Sequence, residues 1–171
     1  AWRQLRAERA RLFSAIAGSK FLHPFNFSLV LQQVTIIGIV GVAQTLIILT
    51  AGIDLSVGAI MVLSSVVMGK LAIDSGLPVP FAFGLGLLTG LICGGINGLL
   101  VTRLRLPPFI VTLGTWSIFF ALNLWYSGSE SIRSQDLAAN AAFLQFTGTA
   151  FKIGLARITY GSVLMLALFG L

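Results

Sequence analysis

The chain has 171 residues, 57% of them hydrophobic and only 9% charged, and a mean hydropathy of +0.98. Soluble domains carry about 25% charged residues, so this composition excludes a water-covered globule and sets the class as an integral membrane protein. The net charge of +6 has no soluble basic domain to carry it, which disfavours nucleic acid as a partner and leaves membrane lipid.

Long apolar runs favour helices over barrel strands, which would alternate every second residue. At roughly 20 apolar residues per span the chain has room for about four or five helices. The expected fold is all-α: a polytopic helical membrane protein with about four full transmembrane helices plus a truncated one. A helix break is expected at Gly52–Gly58.

Residues 1–26 form a basic N-terminal segment. Arg3, Arg6, Arg9, Arg11 and Lys20 lie in it, as in a cytoplasmic anchor touching anionic headgroups. Arg3, Arg6 and Arg9 recur at helical spacing with Trp2, Leu5, Leu12, Phe13 and Ile16 beside them, which predicts an interfacial helix. His23 precedes Pro24 and has no second His, nearby Cys or acid, so it reads as a headgroup-level polar residue rather than a ligand. Cys93, alone in an apolar segment, makes neither a disulfide framework nor a metal site.

Residues 27–126 form the helical membrane core. The first span runs from about Phe27 to Thr50, with Gln32, Gln33, Gln44 and Thr45 as polar members. Intramembrane Gln either ties helices together or lines a polar path. Asp54 follows, between runs that contain no charged residue from Phe27 to Thr50 and from Leu55 to Gly69. A carboxylate in such surroundings is costly and usually functional. Gly52 and Gly58 flank it, and glycine permits a break. Asp-x-Ser before an apolar run also suits a helix cap, so Asp54 is either a cap or a functional carboxylate.

A second segment runs from about Val57 to Ile73, and Asp74–Pro80 is a loop with Gly and Pro breakers. The third span, about Phe81 to Thr102, carries Gly86, Gly90, Gly94 and Gly98 at intervals of four. That spacing makes a smooth stripe along one helix face for close packing. Arg103 and Arg105 follow as cytoplasmic flanking charges, Pro107 and Pro108 start the next helix, and the fourth span is about Phe109 to Tyr126. Residues 127–157 are expected to be a periplasmic loop, and residues 158–171 the start of a further helix.

Topology is at odds with itself. With Arg103 and Arg105 inside, counting back leaves the basic N-terminus outside, against the positive-inside rule. A missing crossing before residue 27 resolves this, as does a re-entrant segment near Asp54. The missing crossing is favoured.

Gln44-Thr45-Leu46-Ile47-Ile48-Leu49-Thr50-Ala51-Gly52-Ile53-Asp54-Leu55-Ser56-Val57-Gly58 resembles the signature of permease subunits of bacterial ABC importers for monosaccharides, of the ribose, xylose and fructose type. Gly95-Ile96-Asn97-Gly98 and Leu106-Pro107-Pro108-Phe109-Ile110-Val111-Thr112-Leu113-Gly114 resemble the family's next two blocks, in order. Ile132-Arg133-Ser134-Gln135-Asp136 and Ala156-Arg157-Ile158-Thr159-Tyr160-Gly161 look most like fructose-type permeases. The resemblance implies a multi-pass protein of the bacterial inner membrane that pairs with a second copy of itself. A cytoplasmic ATPase would hold ATP and Mg, with no cofactor on this chain, and a periplasmic binding protein would deliver the sugar. It also implies that this sequence is a fragment lacking the family's C-terminal half, and that the Arg-rich segment stands where relatives carry an apolar helix.

A permease for a neutral sugar needs hydroxyls and amides in place of the sugar's water, and no nucleophile. The path candidates are Gln44, Thr45, Asp54, Ser56, Asn97 and Thr112, all at helix ends or breaks. Two alternatives stand beside this reading: a proton-coupled secondary transporter using Asp54, and a truncated membrane partner without transport activity. An intramembrane enzyme is disfavoured, because the sequence offers no Ser/His pair, no paired intramembrane acids and no metal-ligand cluster.

Overall fold

The computed structural model describes residues 8–9, 24–154 and 156–170. The expected interfacial helix, apart from Glu8 and Arg9, and His23 lie outside the described residues. The chain divides into two compact units, one of residues up to Ile39 and from Thr147 onward, the other Val40–Phe146.

Helix α1 spans Pro24–Leu49 and enters both units. It starts a little before Phe27, because proline is tolerated in a first turn where its missing N–H would have no helical partner. In the first unit, Thr35 Oγ1 on α1 hydrogen-bonds Ser162 Oγ at 2.7 Å. Ser162 belongs to α6, Tyr160–Phe169, and its N–H donates to the Thr159 Oγ1 that caps this helix. Gln32 Nε2 donates to the Arg157 carbonyl at 3.3 Å. A Cβ on Gly161 would lie 2.8 Å from the Thr147 carbonyl oxygen, so only glycine permits this approach. Strands β1 (Ala150–Ile153) and β2 (Ala156–Thr159) form an antiparallel hairpin. Ile158 pairs with Phe151 in this hairpin, so the last helix begins at Tyr160 rather than Ile158.

The second unit is built on α2 (Val57–Ile73), α3 (Val79–Thr102) and α4 (Pro108–Ser127). Among the described residues, α1, α3 and α4 are long and apolar enough to cross a membrane. With 17 residues, α2 sits at the short end of spanning length. The chain between α1 and α2 is non-helical, which places the break at residues 50–56.

At its C-terminal end α2 is tied to the same end of α4. Lys70 Nζ donates to the Tyr126 carbonyl at 3.3 Å, lies 5.8 Å from the Tyr126 ring centroid, and pairs with Asp74 at 3.5 Å. At the other end Asn97, five residues before the end of α3, bonds Ser56 at the start of α2. Helices α2 and α4 are therefore parallel, and α3 runs against them. An apolar cluster of Ala59, Leu63, Cys93 and Phe119 joins all three at mid-length.

Gly128, with φ of +67°, ends α4 by donating its N–H to the last carbonyls of the helix, the left-handed closure that glycine favours. Beyond it lie α5 (Ser134–Asn140) and a 3₁₀ segment, Ala142–Gly148. Leu137, Ala141 and Leu144 pack with Ala72 and Ala82 at the far ends of α2 and α3.

Candidate functional site at the helix break

The last turn of α1 closes with the Gly52 N–H donating to the Ile47 carbonyl at 3.0 Å. Ala51 takes the left-handed conformation, with φ of +57°. Gly52 contributes slimness instead: a Cβ there would sit 3.1 Å from Ile47 Cγ2 and 3.2 Å from its carbonyl oxygen. Nothing lies within 4 Å of a Cβ on Gly58.

Polar side chains from three helices hold the break. Asp54 Oδ1 accepts from both the Ser56 N–H and the Ser56 Oγ, each at 2.7 Å. This side chain-to-backbone turn sets the direction from which α2 departs. Ser56 is fully buried, and its Oγ accepts from Asn97 Nδ2 at 2.7 Å. Gln44 Nε2, on α1, donates to the Asp54 carbonyl at 2.8 Å. Thr112 Oγ1, on α4, donates to the Ile53 carbonyl at 3.1 Å. Both carbonyls are partly withdrawn from solvent, and a backbone carbonyl in that position needs such a donor.

Five of the six expected path residues, Gln44, Asp54, Ser56, Asn97 and Thr112, thus converge on one loop. Thr45 stays apart: it is exposed and donates to the Gly41 carbonyl of its own helix at 2.8 Å. Beside the loop is a cavity of about 260 Å³, lined in part by Asp54, Gly94, Asn97, Gly98, Thr102 and Thr112. Asn97 is 6% exposed, and its Oδ1 has no hydrogen-bond partner among the described residues; Gln44 Oε1 is in the same condition. The glycine stripe divides here. Cβ atoms on Gly86 and Gly90 would lie 2.8 Å from Met68 and 3.2 Å from Ser64 Oγ respectively, while Gly94 and Gly98 have nothing within 4 Å and border the cavity.

Four residues outside the expected set, Thr115, Phe119, Asn123 and Ser127, continue from Thr112 as a buried stripe along α4, at helical spacing. Polar groups occupy both ends, and Phe119 joins the apolar cluster between them. The spacing was the available signal, although the apolar residues among them mask it.

Residues 26–171 match the family described as branched-chain amino acid transport system / permease component. The chain belongs to this permease family. The permease is 58% identical over 91% of its length to the fructose import permease protein of Rhizobium meliloti, and covers 43% of that relative. It is 40% identical over 82% of its length to the ribose import permease protein of Bacillus subtilis, covering 42% of it. With the D-allose transport system permease protein of Escherichia coli it shares 39% identity over 71% of its length and 37% of the relative. The permease sequence therefore spans less than half the length of these relatives. No solved structure matches it.

Proposed function

We propose that this chain is part of the transmembrane subunit of an ATP-driven importer, forming the path that moves a monosaccharide across the bacterial inner membrane. The observation that carries this reading is the 58% identity to a fructose import permease over 91% of the chain. The helix break supports it. A cavity bordered by Asn97, Thr112 and Asp54 offers the amide, hydroxyl and carboxylate groups that replace a sugar's water. On this reading the complete permease pairs with a second copy, a separate cytoplasmic ATPase binds and hydrolyses Mg-ATP, and a periplasmic binding protein delivers the sugar. The loop after α4 then faces the periplasm, and the break faces the cytoplasm beside Arg103 and Arg105.

Alternating access would move the helices around the break. Asp54 has one oxygen committed to Ser56, which holds the loop, and a second outside that pair of bonds, which can accept from a sugar hydroxyl. The test is uptake of labelled fructose and ribose by cells expressing the whole permease with its neighbouring importer genes. Uptake that stops on ATP depletion and survives an uncoupler is expected. The reverse pattern would overturn the reading in favour of a proton-coupled secondary transporter, and no uptake of any monosaccharide would leave a membrane partner without transport activity.

A further inference from the structure

A larger cavity, about 430 Å³, lies at the other end of the second unit. It opens between α2 and α4 and is covered by the chain that follows α4. None of the six expected path residues borders it. Its polar lining is Ser65 on α2, Asn123 and Ser127 on α4, and Glu130 and Ser131 in the following segment.

Asn123 is the informative residue. It is 7% exposed, and its Oδ1 has no hydrogen-bond partner among the described residues. A buried amide oxygen without a donor costs free energy that a packing role does not return. That oxygen is itself shut away from the open space, so an arriving hydroxyl becomes its donor only when the amide turns toward the cavity that Asn123 lines. Ser65 Oγ donates to the Val62 carbonyl and Ser127 Oγ to the Leu124 carbonyl while accepting from the Ser129 N–H. Their hydrogens are spent, so both face an arriving hydroxyl as acceptors. Glu130 and Ser131 are exposed at the cavity mouth, and no buried charged group lines the interior. Val66, Met68 and Ile132 supply apolar walls. Hydroxyl donors at the edge of a ligand and C–H groups on its faces are what this lining matches.

Ile132 also covers the cavity. Its side chain sits so close to Gly69 that a Cβ there would collide with the Ile132 tip. The glycine makes the notch in which the covering segment rests on α2.

We propose that this cavity is a second binding site for a neutral polyhydroxylated ligand, anchored on Asn123 and separated from the break-end cavity by the Leu63, Cys93 and Phe119 cluster. The proposal rests on the sugar-permease reading and adds a site to it. Cargo would be held at one end of α4 by Asn123 and at the other by the Thr112 end. The apolar cluster lies between these two stations.

The test uses the purified, full-length permease carrying Ser131→Cys, an exposed position at the mouth. Modification by a water-soluble maleimide is followed with D-fructose, D-ribose or betaine present, and the parent protein with buried Cys93 gives the background. Saturable slowing by at least one sugar and none by betaine is expected. Adding Asn123→Leu should raise the sugar concentration for half-protection about tenfold, as loss of a buried hydrogen bond would. Should the Leu variant fail to fold, Asn123→Ser, which is smaller and polar, takes its place. Unslowed modification in a permease that supports sugar uptake would overturn the second site and leave the transport reading standing, as would protection indifferent to Asn123. A permease that shows protection but no uptake in cells would keep the site and overturn the transport reading.

Discussion

Asn97 Nδ2 donates to Ser56 Oγ at 2.7 Å across 41 residues of sequence. This one bond fixes the end of α3 to the start of α2, and Ser56 in turn is held by Asp54. Helix ends are marginal by themselves, so a bond that spans two of them stabilises both. Replacing Asn97 with Leu leaves the buried Ser56 hydroxyl with a bond to Asp54 alone and removes the tie. A loss of about 1–3 kcal/mol is expected. A fall in the thermal midpoint of the detergent-purified permease measures it, and an unchanged midpoint would show that the α2–α3 packing around Gly86 and Gly90 holds the break without it.

Asp54 separates two roles by two substitutions. Asn keeps an oxygen that accepts from the Ser56 N–H, so Asp54→Asn should keep membrane expression near that of the parent. Asp54→Ala removes both bonds to Ser56 and should cost about 0.5–2 kcal/mol, as the loss of a cap does. If the carboxylate also bonds cargo, uptake by the Asn variant collapses while its expression holds. Labelled-sugar uptake beside a membrane-expression blot reads the difference. Normal uptake by the Asn variant would confine Asp54 to positioning the break.

The glycine stripe of α3 should respond unevenly. At Gly86 a Cβ meets Met68 side-chain atoms at 2.8 Å and the Ser64 carbonyl at 3.1 Å. The carbonyl cannot move without moving α2, so Gly86→Ala should lower stability by about 1–3 kcal/mol, the cost of overpacking. Gly90→Leu reaches Ser64 and Ile60 in the same groove and should disrupt assembly more. Gly94→Ala and Gly98→Ala meet nothing within 4 Å and should assemble normally. Gly98→Leu, which fills part of the break-end cavity, should then lose uptake at normal expression. Equal destabilisation at all four positions would show that the whole stripe packs against protein.

Much of this was legible in the residues, and the parts that were not have physical reasons. Apolar run lengths located the helices, and the Gly-Ile-Asp-Leu-Ser block located the break, because a carboxylate between apolar runs has few places to go. Thr45 adjoins Gln44 in sequence, but its hydroxyl satisfies its own helix; which face of α1 meets the loop is decided by packing. Nothing in the sequence marks Asn123, because Leu122, Leu124 and Trp125 around it read as an ordinary span. The hairpin at residues 150–159 is not legible either, because its strands are four residues each and straddle the boundary expected at 157/158 between loop and helix. The left-handed residue is Ala51 rather than a glycine, since Gly52 is needed where the chain passes close to Ile47.

That last arrangement makes a test of the break's backbone. Ala51 holds φ at +57°, where a Cβ crowds the following carbonyl and costs roughly 1–2 kcal/mol. Ala51→Gly relieves this strain but also frees the unfolded chain, which subtracts roughly 0.4–1 kcal/mol. The net expectation is a gain of up to about 1.6 kcal/mol, read as a rise in the thermal midpoint, with uptake unchanged. Gly52→Ala has no such reward. Its Cβ would press on Ile47 at 3.1–3.2 Å, tighter than ordinary contact, so its midpoint should fall. If Ala51→Gly lowered the midpoint, the left-handed closure could not lie at Ala51, and if Gly52→Ala raised it, the close approach of Gly52 to Ile47 would be absent; either result would require the geometry of the break to be redrawn.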